Sequence, residues 1–271
     1  MQSLLNRPIN VNSLLIVIGI VSALAILFAI LIIVVSKKCK VKEDEKAKKI
    51  EQFLAGANCG GCGFAGCADF ANALSSGKAN LNSCGATSSE ARKEISNILG
   101  IPFVEAESKF AVCKCAGGLD CLDKFEYIGN EKCINQNILM GGKKSCATAC
   151  LGGGDCQNVC INGAIIIENQ KSSINKEICI SCGACVKACP KHIIELIPKT
   201  AKVYVACSSK CKGKEVMSSC KVGCIGCGLC AKNCPNNAIK MIDNLAVIDY
   251  SLCTGCGLCR DKCPRKIIKS I

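Results

Sequence analysis

The chain has 271 residues, enough for more than one domain, and 28 of them are cysteine against a single histidine and no tryptophan. In a short secreted chain that count would mean a disulfide framework; here the C-x2-C spacings and the lack of a cleavable signal point to metal centres in a reducing compartment, and a lone His192 argues against Rieske or haem ligation. The formal charge of +13 would ordinarily suggest nucleic acid or an anionic membrane. A [4Fe–4S] core with four thiolates brings about −2, so five of them would lower the total to about +3, and the basic excess reads mostly as compensation for clusters.

Taken in order, residues 14–35 (LLIVIGIVSALAILFAILIIVV) are uncharged and almost wholly apolar, and as a helix they span roughly 33 Å, enough for a bilayer core. A signal peptide is the alternative, but only Arg7 precedes the run and no A-x-A site comes after it. Lys37, Lys38, Lys40 and Lys42 flank its far end, so the positive-inside rule puts the rest of the chain on the cytoplasmic face of the cell inner membrane, anchored by a single pass (residues 1–36). Residues 37–52 alternate charges at helical spacing and read as a solvated stalk, with Cys39 an idle thiol. Residues 53–99 form a small helical module. Its candidate ligands are Cys59, Cys62, Cys67 and Cys84, with glycines 60, 61, 63 and 66 permitting a tight loop and ADFANALSSG a helix that starts at Cys67. Four cysteines also suit zinc; soft thiolates, in a chain with three regular cysteine runs nearer its C-terminus, favour a cluster.

Residues 100–145 are the least regular, with a strand expected in IPFVEAESKFAVC and cysteines 113, 115, 121 and 133 at no familiar spacing. Three phrases then dominate: CISCGACVKACP (179–190), CIGCGLCAKNCP (224–235) and CTGCGLCRDKCP (253–264). Each is C-x2-C-x2-C-x3-C-P, the run that holds [4Fe–4S] clusters in bacterial ferredoxins, where the fourth Cys of each run reaches to the other run's cluster. A fourth run of altered spacing, Cys146-x3-Cys150-x5-Cys156-x3-Cys160, precedes them. Strand–turn–strand stretches (GAIIIE with SSINKEIC, and NNAIKMIDNLAVIDYSL with its D-N turn) separate the paired runs. The expected fold class is therefore α+β: one transmembrane helix, a helical Fe–S module, and two ferredoxin-like 2[4Fe–4S] modules at 146–198 and 224–271, joined by a linker, 199–223, that carries a strand in AKVYVAC. Crossed pairing predicts four ligand sets: Cys146, Cys150, Cys156 and Cys189; Cys179, Cys182, Cys185 and Cys160; Cys224, Cys227, Cys230 and Cys263; Cys253, Cys256, Cys259 and Cys234. With the set at Cys59–Cys84 this makes five [4Fe–4S] clusters. Eight cysteines remain (39, 113, 115, 121, 133, 207, 211 and 220), and four of them suffice for a sixth site between 113–133 and 207–220; simple buried or surface thiols are the equal alternative. Glycines 152–154 do not make a phosphate loop, since neither G-x-G-x-x-G nor G-K-[ST] is present, so no nucleotide is expected to bind this chain.

The order of parts (apolar helix, charged stalk, GANCGGCGFAGC with distal Cys84, CLGGGDC, then KVGCIGCGLC and NLAVIDYSLC) resembles the B subunits of Rnf complexes, in the long form with two ferredoxin modules. The resemblance implies an electron-transfer subunit of an ion-translocating ferredoxin:NAD oxidoreductase. Such a subunit accepts electrons from soluble ferredoxin and passes them to membrane subunits of the complex, coupled to Na+ or H+ movement. It also implies cysteines like Cys115, Cys133, Cys207 and Cys220 as the sixth-site set, with Cys113 and Cys211 extra to this sequence. From the residues alone, the reading is a membrane-anchored wire with no catalytic side chains of its own. The rivals are a polyferredoxin-type subunit of another membrane oxidoreductase and a zinc-binding nucleic-acid protein.

Overall fold

The computed structural model describes residues 11–38, 44–103 and 107–271; Arg7, Cys39, Lys40, Lys42 and the middle of IPFVEAESKFAVC lie outside the described residues. The chain divides into two units at Asp44. The first is α1 (Val11–Lys38), in which Leu15–Val34 has a mean hydropathy of 3.2 and none of it is buried. At 1.5 Å per residue that stretch is about 30 Å long, so by length and composition it can cross a membrane.

The second unit begins with three helices, α2 (Glu45–Phe53), α3 (Cys67–Ser75) and α4 (Ser89–Leu99). The expected stalk is solvated only in part: from Glu45 it is α2, whose Ala47 and Ile50 pack with Phe70, Leu74 and Ile95. Their i, i+3 spacing puts both on one face, while the surrounding lysines and glutamates mask that face in the composition. The α3 helix starts at Cys67 as expected. Ser88 caps α4, its Oγ accepting from the Ala91 N–H at 3.2 Å, and Gly100 closes the helix in the left-handed region.

The chain continues with β1 (Lys109–Cys113), α5 (Cys133–Ile138), α6 (Asp155–Asn158), β2 (Ile165–Glu168), β3 (Lys171–Ile174), α7 (Ala184–Ala188) and β4 (Ile194–Pro198). Then come β5 (Val203–Val205), α8 (Gly213–Ser219), α9 (Leu229–Lys232), β6 (Ile239–Ile242), β7 (Leu245–Ile248), α10 (Leu258–Asp261) and β8 (Ile268–Ser270). Two hairpins, β2–β3 and β6–β7, form where strands were expected, closed by Asn169-Gln170 and Asp243-Asn244, all four with positive φ as a type I′ turn requires. The two isolated strands also find partners: β1 pairs with β4 (Cys113↔Ile194) and β5 with β8 (Val205↔Ile268). AKVYVAC is thus no linker strand but half of the ribbon that covers the second ferredoxin module.

This layout is a repeat. Adding 74 to a residue number carries α6, β2, β3 and β4 onto α9, β6, β7 and β8 without a gap: Cys150 falls on Cys224, Ile165 on Ile239, Cys189 on Cys263. The covering strands correspond too, because the Lys114 N–H donates to the Ile193 carbonyl (2.7 Å) as the Ala206 N–H does to Ile267 (2.9 Å). Each copy buries its own apolar residues, Ile165, Ile193 and Ile194 in the first and Ile239, Leu245 and Ile268 in the second.

Candidate metal centres

In the three intact runs the glycine after the second Cys (Gly183, Gly228, Gly257) has φ of 75°, 71° and 80° and starts α7, α9 or α10. That left-handed turn, cheap only for glycine, swings the third Cys back toward the first two. The result is three sulfur-lined voids. One is lined by Cys160, Cys179, Cys182 and Cys185, one by Cys224, Cys227, Cys230 and Cys263, and one by Cys234, Cys253, Cys256 and Cys259. These are the groupings of crossed pairing. The remaining walls are mostly apolar, with no Asp, Glu or His in any of them. Backbone amides point at the sulfurs: Ala164 N–H at Cys160, Ala238 N–H at Cys234 (both 3.3 Å) and Ala111 N–H at Cys179 (3.5 Å). Burial raises the thiol pKa of Cys185 to about 12 and of Cys230 to about 11, so each site is poor for free thiolates and needs a positive core to hold them.

The altered run is assembled differently from expectation. Gly154 has φ 79° and starts α6 as Gly183 starts α7, so Cys150, Cys156 and Cys160 take the first, third and fourth places of a standard run. The second place, that of Cys182 or Cys227, is Gly153. Cys133 at the start of α5 comes in there instead: the Gly153 N–H donates to Cys133 Sγ at 3.2 Å, and the Ile134 N–H to Asp155 Oδ2 at 2.7 Å. A Cβ on Gly153 would collide with the Glu131 carbonyl and the Cys133 amide, so only glycine leaves room for this segment. Cys156 has its pKa raised to about 12, first by burial and then by the neighbouring Cys150, Cys133 and Cys189. The sulfurs gathered are therefore Cys133, Cys150, Cys156 and Cys189. Cys146, expected among them, lies elsewhere, and Cys133 is not with the sixth-site cysteines.

Cys146 lines a fourth void, with Cys115, Cys121, Cys207 and Cys220. The repeat sorts these five. Cys115 and Cys207 each come just after a covering strand, and each Sγ accepts an N–H from the first Cys of the adjoining run, Cys150 at 3.3 Å and Cys224 at 3.4 Å. Cys146 and Cys220 each stand four residues before that same Cys. Two cysteines from each copy thus face one void. Cys121 has no counterpart; its thiol points to the Leu122 carbonyl at 3.9 Å. The adjacent Cys121 thiol holds the Cys220 pKa down at about 6, with Arg265 nearby acting the same way, and the same proximity drives Cys121 upward. The 74-residue offset and the Cys-x3-Cys pairs 146/150 and 220/224 were the sequence signals for this arrangement.

In the helical module Cys62, Cys67 and Cys84 pack on the Phe70–Ile95 core, and the Thr87 hydroxyl donates to Cys84 Sγ at 3.2 Å. Cys59 stands beside Cys182, whose pKa is raised first by burial and also by Cys59. The contact is close because Gly61 and Gly85 have no Cβ, which would otherwise strike the Cys182 and Ser181 carbonyls; Lys187 Nζ donates to the Gly60 and Gly61 carbonyls at 3.3 and 2.9 Å. Cys113 lies buried against Cys150, Cys211 is exposed, and His192 is on the surface. Among the described residues, no three Cys, His, Asp or Glu side chains converge on a single-ion position. Four sulfurs around an apolar void with amide donors fit a [4Fe–4S] group.

Family models match the same segments: an Fe-S cluster model at residues 54–85, a 4Fe-4S binding domain at 173–195 and a 4Fe-4S dicluster domain at 223–267. The B subunit of the Na(+)-translocating ferredoxin:NAD(+) oxidoreductase complex of Acetobacterium woodii is 37% identical over 88% of this chain and 72% of its own length. The B subunit of the ion-translocating oxidoreductase complex of Methanosarcina acetivorans is 38% identical, over 76% and 79%. That of the proton-translocating ferredoxin:NAD(+) oxidoreductase complex of Clostridium ljungdahlii is 37% identical, over 89% and 86%. With relatives matched over most of both chains, the chain belongs to the family of B subunits of ion-translocating (Rnf) oxidoreductase complexes.

Proposed function

We propose that this B subunit takes electrons one at a time from reduced ferredoxin and relays them through six [4Fe–4S] sites to the membrane partners of its complex, which couples ferredoxin:NAD oxidoreduction to Na+ or H+ movement. A [4Fe–4S] group, when bound, supplies reversible one-electron chemistry; the chain holds it, buries it and tunes it through amide hydrogen bonds to sulfur. Five sites keep the general plan of the sequence, with Cys133 replacing Cys146 beside Cys150, Cys156 and Cys189. The sixth is held by Cys115, Cys146, Cys207 and Cys220.

The observation that carries this reading is an unbroken series of sulfur contacts. The Cys224 amide touches Cys207, the Cys150 amide touches Cys115, and Cys182 touches Cys59. Within each ferredoxin module the two sites share their runs, since the fourth Cys of one run serves the other's site. The middle site is therefore the bridge between the modules, and the Cys59–Cys84 site ends the series. Six residues separate α1 from the module that holds that last site, a tether suited to delivering electrons at the membrane. The lysines at 37–42 favour the cytoplasmic side, where a soluble ferredoxin is found.

Anaerobic purification of the complex with metal analysis tests the cofactor load. Six cubes give about 24 iron atoms for this subunit, five give about 20, and a colourless zinc-loaded protein of native fold would sink the electron-transfer reading. Co-purifying subunits of a hydrogenase or formate dehydrogenase would favour a different oxidoreductase. Cys62→Ala should leave the distal clusters bleaching with ferredoxin while NADH formation stops; unimpaired NADH formation would mean that electrons leave from another site.

A further inference from the structure

The repeat makes the Cys256 loop the counterpart of the Cys182 loop, since 182 and 74 make 256. In the first copy that loop is covered: Cys59, Gly61 and Gly85 of another sulfur-bearing module sit on it. In the second copy the same loop is open, and Cys256 is exposed. Charge separates the two ends as well. Residues 199–271 hold 13 Lys and Arg against 4 Asp and Glu, a formal +9, whereas residues 45–198 hold 16 against 15, a formal +1. With about −2 for each cube, two in the first span, three in the second and the bridging cube divided between them, the C-terminal end is near +4 and the rest near −6.

Two of the cysteine runs in the basic end expose a sulfur, at Cys227 and at Cys256, and their surroundings differ. Beside the Cys227 loop, Lys210 is neutralised by Asp243 at 2.9 Å. At the Cys256 loop the Lys202 stem lies across Gly255, where a Cβ would be 2.8 Å from its Cδ. Lys269 stands on the same face of the β5–β8 ribbon as Lys202, and neither has an ion-pair partner among the described residues. Arg260 borders Gly257, its charge shared with Asp261.

We propose that the Cys256 loop, with Lys202 and Lys269, is the docking surface on which a small acidic one-electron carrier protein delivers electrons. The surface presents to an outside partner the loop that the first copy presents to the helical module. It rests on the reading that reduced ferredoxin is the donor. The cations orient an acidic partner over the exposed sulfur and repel it from the far end, whose clusters leave it negative.

The test uses the assembled complex and stopped-flow bleaching of its clusters by a reduced, acidic two-cluster ferredoxin at low and high salt. Lys202→Glu with Lys269→Glu should slow bleaching by about tenfold or more at low salt, with the deficit shrinking as salt rises. Reduction by methyl viologen, which needs no protein docking, should not slow. Lys78→Glu with Lys93→Glu, at the other end, should leave the ferredoxin rate unchanged. A loss of the same size from Lys232→Glu beside Cys227, or none from the Lys202/Lys269 pair, would overturn the surface while leaving the donor intact. A wild-type complex that viologen reduces but ferredoxin does not would overturn the donor reading, and the surface with it.

Discussion

The two ferredoxin modules share a backbone and differ in one ligand. In both, a hairpin with a two-residue turn separates the runs, and the residue four beyond the fourth Cys donates its amide to that sulfur, Ala164 to Cys160 and Ala238 to Cys234 at the same 3.3 Å. The second module carries all its sulfurs within 224–263. The first has Gly153 where the second has Cys227, and takes Cys133 from a segment outside the repeat. A run of this kind specifies a loop shape first and a ligand set second, and the shape survives the loss of a ligand when another segment can reach the vacated place. The segment between β1 and Cys146 thus brings Cys133 beside Gly153 and Cys115 to the void that Cys146 lines, and on the proposed assignment it serves two sites.

Two substitutions break the comparison most sharply. Cys133→Ala should empty the site at Cys150, Cys156 and Cys189, with loss of about four iron atoms and of more than about 100-fold in ferredoxin-driven NAD reduction, beyond the range typical of partners that only support a ligand. Cys146→Ala should instead remove the middle site and leave the EPR signal of the Cys133 site in place. Loss of that signal in Cys146→Ala, with Cys133→Ala silent, would restore the simple reading of the altered run.

A smaller effect sharpens it. Gly153→Ala forces a Cβ into the Glu131–Cys133 backbone, so the segment must shift, at a cost of about 1–3 kcal/mol and with weakened iron retention. Gly228→Ala reverses the situation, with a positive φ (71°) that Gly153 does not share but open space around it, so it should cost only about 1 kcal/mol and keep its clusters. Denaturation under anaerobic conditions, with iron counted on the folded protein, separates the two. A cost at Gly153 no larger than that at Gly228 would mean that the Glu131–Cys133 backbone gives way at little expense.

How much the sequence disclosed depends on the range of each interaction. The three C-x2-C-x2-C-x3-C-P runs, the hairpins and the helix at Cys67 depend on neighbours within a few residues, and spacing alone located them. The buried face of α2 was hidden because Ala47 and Ile50 lie among lysines and glutamates. The β1–β4 and β5–β8 ribbons close over more than sixty residues of chain, as Val203↔Ser270 illustrates, so local pattern could name the strands but not their partners. The misassigned sulfurs have a similar cause. Cys146-x3-Cys150 looks like the start of a run, and only the offset to Cys220-x3-Cys224, with Cys220 outside the second module's own runs, pairs Cys146 with Cys220, with which it lines one void.

The smallest expected effect lies in that bridge, where five cysteines face a site with four places. The repeat pairs Cys115 with Cys207 and Cys146 with Cys220, which leaves Cys121 over. Its contacts agree: the Cys121 thiol points to the Leu122 carbonyl at 3.9 Å, whereas Cys115 and Cys207 each accept a backbone amide at sulfur, as a thiolate ligand does. A thiolate is what binds iron. Cys220→Ser should therefore cost the bridge its cluster and cut electron flow between the modules, so that ferredoxin bleaches the C-terminal pair alone. Cys121→Ser retains a hydroxyl able to donate to Cys220 Sγ, and should hold all its iron and relay electrons within about twofold of the wild type. Cys121→Ala removes a donor from a ligand sulfur, so it should keep the iron and shift the bridge's midpoint potential by tens of millivolts, measured by EPR-monitored titration. Loss of iron in Cys121→Ser with retention in Cys115→Ser would exchange the roles of those two cysteines and break the symmetry on which the bridge is drawn.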